Sequence, residues 1–412
     1  MKVNIEPVLS DSHLDGKSVS SQRQLNIAIA ALASEEDRNL PLNLCLVLDH
    51  SGSMKGRPLE TVKEAAISLL ERLSPLDRIS VVSFNHKAQV LIPNQIVANI
   101  APIKEKIKQL KADGGTAIDE GMKLGMKELT DGKQNTVSQI FLLTDGENEH
   151  GDNERCLKLA LLASEYNITL NTLGFGDHWN QDILEQIADS AGGSLSYIER
   201  PSQAVEQFGR LFTRMQSVGL TNAYLSIELM PKVRLAELKP VAQVAPETIE
   251  LPVQQDGNVY SVRLGDLMTD TPRIVLVNLY IGKLPTGSQT IAQVEVRYDD
   301  PAHGREGLLG EKVPVDVEVQ TTYQAQSNPD VQRSILALAK YRQTQIAETK
   351  LQQGDRLGAA TMLQSAANTA LQLGDQGAAT VLQVSATRLQ SGEELSSAER
   401  KKTRIVSKTI LQ

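Results

Sequence analysis

The most informative segment of the sequence is LNLCLVLDHSGSM, which occupies residues 42–54. Residues 42–48 are apolar except for Asn43, and the run ends at a turn. A short apolar run of this kind is typical of a central strand that is buried on both faces of a sheet. Pro58 then opens a segment with apolar residues at helical spacing, so the sequence predicts a strand, a loop and a helix in succession.

The alternation of strand and helix patterns continues to about residue 217. We predict further strands at 79–84, 88–92, 140–143, 168–173 and 194–198. We predict helices at 58–73, 116–129, 157–166, 182–191 and 203–216. This order predicts an α/β domain with a doubly wound, mostly parallel sheet and helices on both of its faces.

The pattern on either side of this domain is different. Several β-rich runs between 223 and 321 are bounded by Pro, Gly, Asn and Asp, which predicts an antiparallel β-sandwich. The runs at 3–9 and 23–32 are too few to fold alone, so we expect them to pair with the later sheet. Two similar segments, 351–364 and 371–383, favour a C-terminal helical hairpin over a longer repeat array. The predicted division is 1–36 for the N-terminal strands of the sandwich, 37–217 for the α/β domain, 218–325 for the β-sandwich and 326–412 for the helical region.

Composition restricts the possible partners and the cellular compartment. The chain has 42 Lys and Arg against 50 Asp and Glu, and only 3% aromatic residues, which argues against a nucleic-acid-binding protein. No apolar run approaches the roughly 18–20 residues of a membrane span, and the N-terminal segment lacks the apolar core of a signal peptide. We therefore expect a cytoplasmic protein, with Cys45 and Cys156 reduced and buried. The histidines have no zinc-site spacing.

Oxygen-bearing side chains follow the ends of the predicted strands. The first strand runs into Asp49, Ser51 and Ser53, a glycine pair precedes Thr116, and the second central strand leads to Asp145. In open α/β sheets, ligands bind outside the carboxyl ends of the strands. Two carboxylates and three hydroxyls are hard ligands, which suit Mg²⁺, Mn²⁺ or Ca²⁺.

These residues resemble the metal-ion-dependent adhesion site of the von Willebrand factor A domain. The pattern of that site is D-x-S-x-S followed by a Thr and an Asp in separate loops, and all five positions are filled here. The resemblance covers about residues 40–215. It implies that Ser51 and Ser53 coordinate the metal directly, that Thr116 joins them when a ligand is bound, and that Asp49 and Asp145 act mostly through water. It also implies a non-enzymatic protein-interaction module, in which the metal accepts a Glu or Asp carboxylate from a partner protein.

Other interpretations of the same residues remain open. In one, the metal only stabilises the loops of a structural scaffold; in another, the oxygen cluster belongs to a metal-dependent phosphohydrolase. The second would need an acidic nucleophile motif such as D-x-D-x-T, whereas residue 51 is a serine.

His50 and His150 lie beside the motif without a recognisable nucleophile, so we expect structural roles for them. The acidic run 145–152 lacks the register of an EF-hand loop and is expected to form a rim that shapes partner choice. Trp179 fits either an exposed loop or a packing position.

Overall fold

The computed structural model describes residues 1–32, 40–133, 135–176 and 178–408. The chain divides into two compact units. The first, which we call the α/β unit, comprises Met1, Ala33–Asn222 and Asp299–Leu308. The second unit comprises Lys2–Leu32, Ala223–Tyr298 and Leu309–Gln412.

Strands and helices alternate in the middle of the chain and form separate blocks outside it. The strands are β1 (Lys2–Leu9), β2 (His13–Asp15), β3 (Ser20–Leu32), β4 (Leu42–Asp49), β5 (Arg78–Phe84), β6 (Ala88–Ile96), β7 (Val137–Thr144), β8 (Thr169–Phe175), β9 (Leu195–Ile198), β10 (Val218–Leu229), β11 (Val233–Leu235), β12 (Val241–Ala245), β13 (Ile249–Glu250), β14 (Gln254–Asp256), β15 (Val259–Met268), β16 (Arg273–Gly282), β17 (Gly287–Asp300), β18 (Arg305–Leu309) and β19 (Val313–Gln320). The α-helices are α1 (Arg57–Leu70), α2 (Ala101–Lys108), α3 (Ile118–Thr130), α4 (Asn153–Glu165), α5 (Gln181–Ser190), α6 (Ala204–Gln216), α7 (Pro329–Gln352), α8 (Arg356–Gln372), α9 (Gln376–Gln390) and α10 (Ser397–Lys408).

The α/β unit is built on a sheet with the strand order β6-β5-β4-β7-β8-β9. All neighbouring strands are parallel except the β5–β6 hairpin. Every residue of β4 is buried, which agrees with the apolar run seen in the sequence. On one face, Val47 packs with Met122 of α3 in the main core cluster. The predicted α/β fold class is confirmed.

The strand order places β4 at the point where the direction of winding reverses. The chain leaves β4 for β5 on one side and returns to β7 on the other side. The loops that follow β4 and β7 therefore leave in opposite directions and open a crevice between them, which is where α/β sheets bind ligands.

The second unit contains two mainly antiparallel sheets and the C-terminal helices. One sheet has the order β1-β3-β16-β12-β13, and the other has the order β14-β15-β10-β17-β19-β2. The N-terminal β3 pairs with β16 along ten residues, from Arg273 opposite Ile29 to Gly282 opposite Ser20. The two sheets meet through β3 and β15. Segments distant in sequence thus complete one β-sandwich.

Up to residue 408, where the described part of the chain ends, the C-terminal region contains four helices, α7 to α10, and not the two of the predicted hairpin. Helices α8 and α9 begin with equivalent N-caps. The side chain of Asp355 accepts a hydrogen bond from Gly358 N at the start of α8, and that of Asp375 accepts one from Ala378 N at the start of α9. Buried alanines and leucines of both helices form one core cluster. The repeat in the sequence therefore corresponds to two consecutive helices with equivalent N-caps.

The compact units differ from the predicted division of the chain. The strands of the sandwich and the helical region fall in one unit, and residues 299–308 belong with the α/β unit. Helix α2 and the short strands β11 to β14 were not predicted from the sequence. Among the helices of the described residues, none is both long and apolar enough to span a membrane.

Candidate metal centre

Asp49 is the last residue of β4, and its side chain is completely buried. Its Oδ1 accepts a hydrogen bond from Ser51 N at 2.8 Å, and its Oδ2 accepts one from Thr144 Oγ1 at 2.6 Å. Thr144 is the last residue of the neighbouring strand β7. The carboxylate of Asp49 therefore links the ends of two adjacent strands.

A chain of hydrogen bonds joins the loop after β4 to the loop after β7. Ser51 Oγ and Ser53 Oγ lie 3.0 Å apart, and Ser53 Oγ donates to Asp145 Oδ1 at 2.6 Å. Ser51 is almost fully buried, and Asp145 retains 9% of its surface. Four of the five predicted site residues thus lie in one connected polar cluster.

Thr116 approaches the same cluster from a third loop. A Cβ atom added to Gly146 would lie 3.2 Å from Thr116 Oγ1 and 3.6 Å from Ser53 Oγ. The hydroxyls of Thr116 and Ser53 therefore face one small space, which the absence of a side chain at Gly146 leaves open. The structure brings all five predicted residues together.

Thr116 is held by the loop that follows β7. His150 N donates to Thr116 O at 2.9 Å, and Asn148 Oδ1 accepts from Ile118 N at 2.7 Å. Helix α3 begins at Ile118 and has no side-chain cap of its own at Ala117, so Asn148 supplies the missing acceptor. Sequence reasoning missed this role, because an Asn inside an acidic loop has no local sign of capping another segment.

A second connection between the same segments is electrostatic. Arg155 of α4 forms ion pairs with Asp119 at 2.8 Å and with Glu120 at 2.6 Å, both in the first turn of α3. Asp119 is almost completely buried, whereas Arg155 is partly exposed. The start of α3 is therefore fixed both to the loop after β7, through Asn148, and to α4, through Arg155.

The two carboxyl groups of the cluster resist ionisation. Burial raises the pKa of Asp49 to about 6, and the nearby Asp145 carboxylate acts in the same direction. Burial also raises the pKa of Asp145. Because buried carboxylates are costly without a counter-charge, a cation placed between them would relieve this cost.

The donor set fits a hard divalent cation, such as Mg²⁺, Mn²⁺ or Ca²⁺, better than a softer metal such as Zn²⁺. It consists of two carboxylates and three hydroxyls, with no sulfur or imidazole. Within the described ranges, no group of three or more His, Cys, Asp and Glu side chains is arranged to hold a metal ion. A cation here would therefore depend on Ser51, Ser53 and Thr116 for direct coordination, with few anionic contacts.

The aromatic and imidazole groups around the cluster contact neighbouring backbone. His50 Nδ1 lies 3.0 Å from Lys111 O, and the ring of His150 lies against Gly115, where an added Cβ would come within 2.2 Å of it. Trp179 is buried, and its indole N–H donates to Gly176 O at 2.7 Å. This settles Trp179 as a packing residue. Asp177, for which the sequence likewise does not decide between an exposed and a packing position, lies outside the described residues.

The two cysteines are free and buried in the same core cluster. Burial raises the pKa of Cys45 to about 12 and that of Cys156 to about 12. Thiols with such pKa values are poor nucleophiles and poor metal ligands. They fill space in the core.

Two families and several individual proteins are similar to this chain. Residues 43–210 match the von Willebrand factor type A domain, and residues 329–412 match the Sll0103-like, C-terminal alpha-helical domain. The uncharacterized protein sll0103 of Synechocystis sp. is 62% identical over 412 residues, which cover all of this chain and 98% of that protein. Human inter-alpha-trypsin inhibitor heavy chain H4 is 27% identical over 288 residues, which cover 66% of this chain and 30% of the human protein.

A solved structure has a similar fold over almost the whole length of the chain. It is described as von Willebrand factor type A from Catenulispora acidiphila, and it aligns with a TM-score of 0.80 over 99% of this chain and 97% of that one. The sequences are 17% identical, so this likeness concerns the fold alone. The Synechocystis protein, in contrast, shares 62% of its aligned residues with this chain over the full length of the chain. The chain is a von Willebrand factor type A domain protein and belongs to the same family as sll0103 of Synechocystis.

Proposed function

We propose that this protein is a non-enzymatic interaction module that binds an acidic side chain of a partner protein through a divalent cation. The observation that supports it best is the convergence of three loops, from separate parts of the sequence, on the space beside Gly146. The membership of residues 43–210 in the von Willebrand factor type A domain family supports the same function.

The proposal gives each residue of the cluster a role. Ser51, Ser53 and Thr116 would hold the cation through their hydroxyl oxygens, while Asp49 and Asp145 would balance its charge mostly through water. Mg²⁺ fits this arrangement because it prefers oxygen ligands and keeps several waters, and Mn²⁺ and Ca²⁺ are alternatives. When bound, the cation supplies an electrophilic centre that accepts a carboxylate oxygen from the partner.

The main alternative is a scaffold in which the cation only stabilises the loops. One observation favours it: hydrogen bonds from Ser51 to Ser53 and on to Asp145 join the loops after β4 and β7, and a cation at this point would reinforce that connection. The two proposals differ in a measurable way. In the scaffold, partner binding is independent of Thr116. In the interaction module, the carboxylate of the partner binds the same cation as Thr116, so partner binding depends on this residue.

The proposal is tested by affinity capture from a native lysate with the full chain as bait. Three baits are compared in Mg²⁺ and in EDTA: the wild type, Thr116→Ala, and Thr380→Ala as a control on the exposed surface of α9. We expect a protein that is retained by the wild type and by Thr380→Ala in Mg²⁺, and that is lost in EDTA and with Thr116→Ala. A partner that is retained under all conditions would place the interface elsewhere and contradict the proposal.

A further inference from the structure

A groove with a volume of about 490 Å³ lies in the second unit, where α7 packs on the sheet that contains β1, β3 and β16. Helix α7 covers the part of this sheet that carries Val244 and Leu276, which form a core cluster with Ala337 and Leu338. The neighbouring part, next to β1, is open, and Val8 remains 42% exposed there.

The register of the strands explains the depth of the groove. Ala28 of β3 is paired with Glu6 of β1 on one side and with Ile274 of β16 on the other. Side chains of directly paired residues lie on the same face of a sheet. The small Ala28 methyl therefore forms a low floor between two longer side chains, and all three residues line the groove.

The charged groups of the groove are mostly acidic and come from different elements. Glu6 lies on β1, Asp270 in the turn after β15, and Asp330 in the first turn of α7. These three carboxylates face a single guanidinium among the lining residues, that of Arg333. Among the described residues, the side chains of Asp270 and Arg333 form no hydrogen bond or ion pair, whereas Glu6 Oε1 accepts one hydrogen bond from Asn4 Nδ2 at 2.7 Å. The groove therefore carries an excess of negative charge.

A buried acceptor in the wall of the groove also lacks a donor. Asn26 lines the groove, is 8% exposed, and its Oδ1 has no hydrogen-bond partner among the described residues. A buried polar atom without a partner costs free energy, and in native structures it calls for an explanation. Carboxylates and an unsatisfied amide oxygen together favour a ligand rich in N–H donors.

We propose that this groove binds a linear aliphatic diamine or polyamine. The carboxylates of Glu6, Asp270 and Asp330 lie on separate elements, and the apolar side chains of Ala28 and Ile274 line the same groove. Two ammonium ends joined by methylene groups match that pattern, since the ends pair with carboxylates while the methylenes cover apolar surface.

Two other occupants match it less well. A divalent metal needs carboxylates that converge on one point, and no such group of three exists within the described ranges. A lysine side chain of a peptide brings one ammonium to a groove with three separated carboxylates. The volume also lies within the usual range of small-molecule sites, which is about 300–1,000 Å³.

The test is titration calorimetry of the full chain with cadaverine, putrescine and spermidine at low ionic strength. Two comparison probes carry a single ammonium. One is pentylamine, which has the same five-carbon chain as cadaverine, and the other is a peptide with an acetylated N-terminus and one unmodified lysine. Glu6→Gln and Asp270→Asn remove one charge each from exposed positions, and Ala28→Phe fills the floor. Asp256→Asn, an exposed position on β14 outside the groove, is the matched control.

We expect saturable binding of at least one diamine or polyamine, with weaker binding of pentylamine. Glu6→Gln and Asp270→Asn should each weaken it about tenfold, because a hydrogen bond to a charged group is lost. Ala28→Phe should abolish binding, and Asp256→Asn should leave it unchanged. The proposal is overturned if none of the three amines binds, if the groove variants behave like Asp256→Asn, or if only the lysine peptide binds. Binding that persists in Asp145→Ala separates this groove from the candidate metal centre.

Discussion

Ser53 Oγ donates a 2.6 Å hydrogen bond to Asp145 Oδ1, although the two residues are 92 positions apart in the sequence. This contact joins the loop after β4 to the loop after β7. It holds a hydroxyl and a carboxylate of the candidate centre together. A site whose donors are already in place loses little conformational entropy when its ligand binds.

Gly146→Ala should weaken cation binding without unfolding the protein. The new methyl would enter the space between the hydroxyls of Thr116 and Ser53, at 3.2 Å and 3.6 Å from their oxygens. We expect at least a tenfold loss of Mn²⁺ affinity by calorimetry, comparable to about 10–100-fold for disturbed metal-site partners. Gly377→Ala, in the first turn of α9 with no close neighbour, is the control and should bind Mn²⁺ normally. Unchanged affinity in Gly146→Ala would place the cation elsewhere.

Asn148→Ala should also weaken cation binding, although Asn148 is not a proposed ligand. The variant removes the acceptor for Ile118 N and so loosens the segment that carries Thr116. Asn148→Asp keeps an acceptor oxygen and should retain most of the affinity, because Asp is also a good helix cap. Mn²⁺ titration of both variants is the measurement. Equal losses in Asn148→Ala and Asn148→Asp would mean that capping of α3 does not position Thr116.

Cation affinity should fall as the pH drops below about 6. Burial raises the pKa of Asp49 to about 6, and a protonated carboxyl no longer balances the charge of a cation. Titration of Mg²⁺ at several pH values between about 5 and 8 gives the midpoint of this loss. Affinity that is independent of pH across this range would contradict the role of Asp49.

The stability of the metal-free protein should show the opposite trend. A carboxyl whose pKa is raised by folding contributes stability that is complete below its unfolded value of 3.8 and is lost as the pH rises through about 6. Melting temperatures in EDTA of the wild type and of Asp49→Asn, which does not titrate, measure this contribution. The difference in stability between the two should change between about pH 4 and pH 6. A constant difference would contradict the prediction.

Lys340→Met should destabilise the second unit strongly. Lys340 has no exposed side-chain surface, and its Nζ lies 3.2 Å from Asp375 Oδ2. Removing it leaves a buried carboxylate without its cation, which typically costs about 3–5 kcal/mol. The equivalent pair at the previous helix, Lys350 with Asp355, is partly exposed, so Lys350→Met should have little effect on chemical denaturation. Equal effects of the two variants would contradict the distinction between the pairs.

The sequence predicted the residues of the candidate centre because each one follows a strand or a glycine pair. Asp49 is the last residue of β4 and Asp145 follows β7, and both strands appear in the sequence as apolar runs that are typical of central strands. The topology then brings the ends of β4 and β7 together. The buried strands β4, β5 and β7 were found for the same reason, since their apolar pattern is continuous.

Features that depend on distant contacts were harder to predict. Asn148 caps α3 from another loop, and Thr144 bonds to Asp49 across two strands, so neither role leaves a local pattern. Helix α2 has only Ile103 and Ile107 buried and is eight residues long, which is too short for a clear helical period. The sequence predicted only two helices at the C-terminus, because α7 and α10 do not share the repeat of α8 and α9.

The most direct test of the proposed function is a titration of Mn²⁺ into the metal-free full chain, compared with Asp145→Ala. The proposal predicts one saturable site in the wild type and a loss of affinity of about 10–100-fold in the variant, with the thermal stability of both proteins recorded to confirm folding. Absence of saturable binding in the wild type, or equal affinity of the two proteins, would contradict it.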